Sequence, residues 1–225
     1  MENARRLVED ARTLLVDFDG PLARLFPGPA WAELGDRLRR EAARLGGEEL
    51  VDVLDGEPDH VQCLRLAGAH APGLLAELED LVSALELEAA ARVGPRDGAL
   101  GLLDRTLDRG AALAVVTNNT PGVVAAVLDR ARPGVTGRLH VVGRSAGQVD
   151  DLKPRPDLLV RALGLTGSRP EESVFLGDSV TDVQAGHAAG VPVLGVAEDA
   201  GRRDDLLAAG AVAVVDWVGA LLPLR

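Results

Sequence analysis

The chain has 225 residues, 47% of them hydrophobic, a length and composition that bury a sizeable core and exclude a disordered polymer. A formal net charge of −11 excludes the basic face that non-specific nucleic-acid binding or a polybasic membrane anchor requires. The single cysteine, Cys63, excludes an intrachain disulfide and a multi-cysteine metal site, and reads as a small core filler.

Residues 1–12 mix acids and bases without a long apolar stretch, so they do not read as a signal peptide. No run approaches the roughly 20 apolar residues of a membrane span, and a cytoplasmic protein is expected. The first predicted strand covers residues 12–18 and ends in Asp17-Phe18-Asp19-Gly20-Pro21. Alternate residues of a strand share a face, so Asp17 and Asp19 point the same way while Phe18 points into the protein. Residues 24–93 then read as helical. Trp31, Leu34, Leu38, Ala42 and Leu45 recur at helical spacing up to Gly46-Gly47. A shorter helix is expected over 58–69. Pro72 opens a stripe of Leu74, Leu75, Leu78, Leu81, Val82 and Leu85.

After Gly94-Pro95 the pattern alternates. Helices are expected over 100–109, 121–130, 156–163, 180–189 and 202–209, and strands over 111–116, 139–142, 173–176, 191–196 and 211–215. Strands separated by single helices imply an α/β, doubly wound, Rossmann-like parallel sheet with right-handed crossovers. The division expected is a core of 1–23 and 94–225 with an inserted α-helical cap over 24–93.

Three later segments bear on the two aspartates. Thr117-Asn118-Asn119 follows a strand and precedes a helix, where a hydroxyl and main-chain N–H groups can hold phosphate oxygens; an ordinary N-cap uses the same residues. Lys153, in Asp151-Leu152-Lys153-Pro154, is a cation ahead of a helix. Gly177-Asp178-Ser179-Val180-Thr181-Asp182 follows another strand. Asp178 there can complete an oxygen site for Mg²⁺, and Asp182, one turn on, can brace it.

In this order, each at a strand end, the four segments resemble the haloacid dehalogenase-like (HAD) hydrolases, and the inserted helices look like that superfamily's type-1 cap, as in its phosphoglycolate phosphatase and β-phosphoglucomutase branch. The D-x-D-G motif matches Asp17, Asp19 and Gly20; the second matches Thr117; the third, Lys153; the fourth, G-D-S-x-x-D, matches Gly177 to Asp182. The resemblance implies a Mg²⁺-dependent phosphomonoester hydrolase working through an aspartyl-phosphate. It makes Asp17 the nucleophile and Asp19 the acid/base, with Lys153 offsetting charge. It assigns the metal to Asp17, the Asp19 carbonyl and Asp178, and the phosphoryl oxygens to Thr117 and the Asn118 amide. The partner implied is a small phosphomonoester, with monomer and homodimer both open. Arg24, His60, Arg65 and His70 are candidate contacts from the cap to the leaving group. Pro21 departs from the Thr or Val of many relatives and removes no catalytic group.

Three other readings compete. Gly143-Arg144-Ser145-Ala146-Gly147 matches the serine-hydrolase elbow, with Asp178 and His187 following, but the elbow must run straight into a helix and an irregular loop is expected here. A phosphomutase or phosphotransferase would use the same residues as the phosphatase. A catalytically silent binding module would be expected to have lost Asp17, Asp19 or Lys153.

Overall fold

The structure, a computed structural model, describes residues 2–27 and 32–223. Strand β1 (Thr13–Val16) lies inside a six-stranded parallel sheet with β2 (Ala112–Val116), β3 (His140–Val142), β4 (Ser173–Gly177), β5 (Val193–Val196) and β6 (Ala213–Val215). The order is β3-β2-β1-β4-β5-β6, so the chain winds outward from β1 and then crosses back to start again at β4. Parallel sheets are covered on both faces, which explains the unbroken apolar runs of β1 and β4, every residue of which is buried. The predicted α/β class and doubly wound topology are observed.

The period of two sorts β1 into two cores. Leu14, Val16 and Phe18 pack with Leu102, Leu103, Val115, Val124 and Leu176 on one face. That face is covered by α1 (Glu2–Asp10), α6 (Ala99–Asp108), α7 (Gly122–Ala131) and the turn Val218–Leu221. Leu15 packs on the other face with Ala114 and Phe175. There it meets α8 (Asp157–Thr166), α9 (Val180–Ala188) and α10 (Ala200–Ala209).

Between β1 and α6 come four helices and no strand among the described residues: α2 (Ala32–Arg44), α3 (Glu48–Val53), α4 (His60–His70) and α5 (Leu75–Ala90). Their apolar faces, including Leu38, Leu50, Leu64 and Val82, join the core cluster of Leu15 and Phe175. The insertion leaves and rejoins the core at one place. Ala23 and Pro95 form an antiparallel bridge, and Arg96 N donates to Leu22 O at 2.8 Å.

Several boundaries move. β1 stops at Val16, short of the expected 18, although Asp17 N still donates to Leu176 O at 2.8 Å. Helix α4 begins at His60 rather than 58, because the Asp59 carboxylate accepts from Val61 N and Gln62 N as its N-cap. Helix α10 starts two residues early for the same reason, with Asp199 as the cap. Helices α1 and α3 were not anticipated. Trp31, expected to begin the first inserted helix, lies outside the described residues.

Candidate active site

The carboxyl ends of β1, β2 and β4 meet where the winding reverses, the place open α/β sheets bind ligands. Asp17 follows β1, Thr117 follows β2 and Asp178 follows β4. Lys153 arrives from the segment before α8. All seven sequence candidates, Asp17, Asp19, Thr117, Asn118, Lys153, Asp178 and Asp182, line one cavity of about 540 Å³.

Lys153 is the centre of its charge network. It is 3% exposed, and Nζ lies 2.8 Å from Asp17 Oδ1 and 2.7 Å from Asp182 Oδ1, and donates to Val116 O at 3.2 Å. Burial alone would lower its pKa, but Asp17 and Asp182 hold it above the ordinary lysine value. Burial pushes Asp17 well up, against Lys153, with Asp182 and Asp178 adding to the rise. Asp19 is also raised by burial, opposed by Leu25 N, which donates to Asp19 Oδ1 at 2.9 Å, and by His60. Burial and Asp182 push Asp178 up to about 7, while Arg202 Nη1, 3.0 Å from Asp178 Oδ2, works against them.

Asp182 is fully buried and serves two structures at once. Oδ1 takes Lys153, and Oδ2 accepts from Asp178 N (3.0 Å), Ser179 N (3.1 Å) and Ser179 Oγ (2.8 Å), closing a capping box at the start of α9. The bracing expected of Asp182 is thus a set of hydrogen bonds. Oxygens of Asp17, Asp178 and Asp182 lie within 4.8 Å of one another. Gly20 makes room for this group. At φ +112° it is in a region side chains avoid, and a Cβ there would fall 2.3 Å from Asp178 Cγ.

The polar contacts refine two expectations. Asn118 spends its side chain on Lys153, with Nδ2 donating to the carbonyl at 3.1 Å and Oδ1 accepting the N–H at 2.9 Å. Among the described residues its own main-chain N–H makes no hydrogen bond. The Thr117 hydroxyl donates to Asn119 Oδ1 at 2.8 Å and accepts Asn119 N at 3.1 Å, so it is engaged within its loop. Of the four leaving-group candidates, Arg24 and His60 line the cavity and Arg65 and His70 do not. Arg65 donates instead to the Leu152 and Lys153 carbonyls (2.8 and 2.7 Å), holding the lysine segment from α4. His70 is exposed in the last turn of α4. His60 is buried, 6.0 Å edge-on from the Phe26 ring, and neither of its nitrogens has a hydrogen-bond partner among the described residues.

Sequence reasoning missed Arg202 and Glu86, and named Asn119 and Arg144 only as members of their segments, without these contacts. Glu86 left a signal, an acid four residues after Val82 on the buried stripe of α5. The serine-hydrolase alternative finds no support. Residues 143–147 run into a turn and the short 3₁₀ turn Val149–Asp151, and Arg144 is turned to Glu86. The His187 ring meets the Gly210 carbonyl, and neither Ser145 nor His187 lines the cavity.

Residues 11–190 match the family model of haloacid dehalogenase-like hydrolases. A phosphoglycolate phosphatase from Rhodospirillum rubrum is 30% identical over 227 residues, 92% of this chain and 91% of that one. Another from Pseudomonas putida is 33% identical over 115 residues, 51% of this chain but only 41% of its own length. Among solved structures, CbbY from Rhodobacter sphaeroides in complex with phosphate superposes with a TM-score of 0.68 at 24% identity, covering 94% of this chain and 96% of that one. With a match over most of its length and the motif residues gathered in one cavity, this chain belongs to the haloacid dehalogenase-like hydrolases.

Proposed function

We propose that this phosphatase, acting in the cytoplasm, hydrolyses a small phosphomonoester through a phosphoaspartate on Asp17. The observation that carries the reading is the buried Asp17–Lys153–Asp182 network opening on a cavity beside Asp19 and Asp178. The insertion over 24–93 is its cap and the remainder its core.

Asp17 attacks phosphorus, and Lys153 favours its ionised form, opposing the burial that raises its pKa. The ester P–O bond breaks, and Asp19 gives its proton to the departing oxygen; the raised pKa of Asp19 favours the protonated form this step needs. Asp19 then takes a proton from water, which attacks phosphorus and frees the Asp17 carboxylate. The Asn118 N–H holds phosphoryl oxygens, and the Thr117 hydroxyl does so by turning from Asn119. The donor set fits Mg²⁺. It is made of hard oxygens, one of them on a carboxyl raised to about 7, and Gly20 leaves space that a side chain would fill. Asp17, the Asp19 carbonyl and Asp178 would hold the ion, since Asp182 is spent on Lys153 and α9. Bound there, Mg²⁺ supplies positive charge to the phosphoryl oxygens.

The test is phosphate release from an aryl phosphate, with Mg²⁺ or EDTA, for the parent and Asp17→Asn. Turnover that needs Mg²⁺ and falls by about a thousandfold or more in Asp17→Asn is expected. Undiminished turnover in Asp17→Asn would overturn the assignment. The names of the relatives make 2-phosphoglycolate the first metabolite to try.

A further inference from the structure

The loop after β2 is held from outside the core. Glu86, on α5 of the insertion, is fully buried, and four hydrogen bonds converge on its carboxylate. Oε1 accepts Arg144 Nη1 at 2.9 Å and Asn119 Nδ2 at 3.1 Å; Oε2 accepts Arg144 Nη2 at 3.0 Å and Thr120 N at 2.8 Å. Arg144 also donates to Asn118 O at 3.2 Å and to Ser83 Oγ at 3.1 Å. The main chain is therefore gripped on both sides of Asn119.

The side chain of Asn119 carries the order inward. With Nδ2 on a carboxylate, its Oδ1 must face the Thr117 hydroxyl, because the flipped amide would set oxygen against oxygen. A run of polar contacts thus passes from Arg144 through Glu86 and Asn119 to Thr117 in the cavity wall. Burial would raise the Glu86 pKa, yet His60, whose Nε2 lies 3.6 Å from Glu86 Oε1, beyond hydrogen-bond reach, and Arg144 hold it below the usual carboxylate value. A buried ion pair adds little stability over an apolar pair of similar volume. What this one supplies that an apolar pair could not is an acceptor for Thr120 N and for Asn119.

We propose that Glu86, clamped by Arg144, is a positioning residue that fixes residues 117–120 to receive the phosphoryl group, so that α5 and the phosphate-binding loop behave as one body. The proposal rests on the phosphatase reading. Glu86→Gln replaces one acceptor oxygen with an NH₂, which cannot satisfy all four donors.

The experiment measures inorganic phosphate binding by calorimetry with Mg²⁺ present, alongside the melting temperature and the KM for the ester. Two variants are compared with the parent, Glu86→Gln and the double change Glu86→Leu with Arg144→Met. Phosphate affinity should weaken by at least about tenfold in both, with KM rising in parallel, when binding is measured well below each variant's melting temperature, where both are fully folded. Folded variants that bind phosphate as the parent does would reduce Glu86 to a structural residue and overturn the proposal. A parent that binds no phosphate would overturn the phosphatase reading, and this proposal with it. Should neither variant fold, amide hydrogen exchange on the parent decides. Phosphate should slow exchange in residues 82–90 of α5 as well as in 117–120, and slowing confined to the loop would refute the coupling.

Discussion

Asp178 keeps its proton up to about pH 7 in the folded chain, because burial, with Asp182 beside it, disfavours the charged form. A raised carboxyl binds its proton more tightly folded than unfolded. Metal-free protein should therefore lose stability as pH climbs from about 4 towards 7. A cation on Asp178 offsets that loss, so Mg²⁺ should raise the melting temperature more at pH 8 than at pH 5. An equal gain at both would place the cation elsewhere. Gly20→Ala should abolish that Mg²⁺-dependent gain and cut turnover by about tenfold or more, since its Cβ needs the space Asp178 occupies. Metal-dependent melting close to that of the parent would contradict this. The strand-end residues were legible because each follows an apolar run that stops abruptly. The pairing of Glu86 with Arg144 was not, because it spans 58 positions and exists only after folding.

Helix α9 shows how one side chain serves both an element and the cavity. Asp182 closes the capping box with Ser179 and also receives Lys153. Asp182→Ala removes both and leaves the buried ammonium to Asp17 and the Val116 carbonyl, and should cost about 3–5 kcal/mol in chemical denaturation. A loss below about 1 kcal/mol would mean that Asp17 alone satisfies Lys153. Helices with a long apolar stripe, such as α5, were readable from spacing alone. Helix α3 was not, being six residues between two turns, and α1 was hidden by its mixed charges although Ala4 and Val8 are buried. Of the boundary errors, those at α4 and α10 follow the aspartates that cap them, a local contest between side chain and main chain that periodicity does not report.

On the scale of the whole molecule, β1 divides two apolar layers, and both should be felt equally in unfolding. Leu14→Ala and Leu15→Ala empty opposite faces at full burial, and each should cost about 2–5 kcal/mol by denaturant titration. A much smaller loss at Leu15 would show that the layer shared with the inserted helices adds little to the core. The sheet order could be anticipated because single-helix connections between buried strands leave few topologies open. How the inserted helices sit on the core was not, since their contacts join residues far apart in sequence. The bridge between Ala23 and Pro95 bears on the history such a chain can have. It closes the excursion at its foot, so β1 and α6 are joined as if by a short turn, whatever lies beyond. Doubling the length of a closed loop adds only about 0.6 kcal/mol of entropy cost. Lineages can therefore change the length of the excursion at little closure cost, provided α4 and α5 keep Arg65 on the Lys153 segment and Glu86 on residues 119–120.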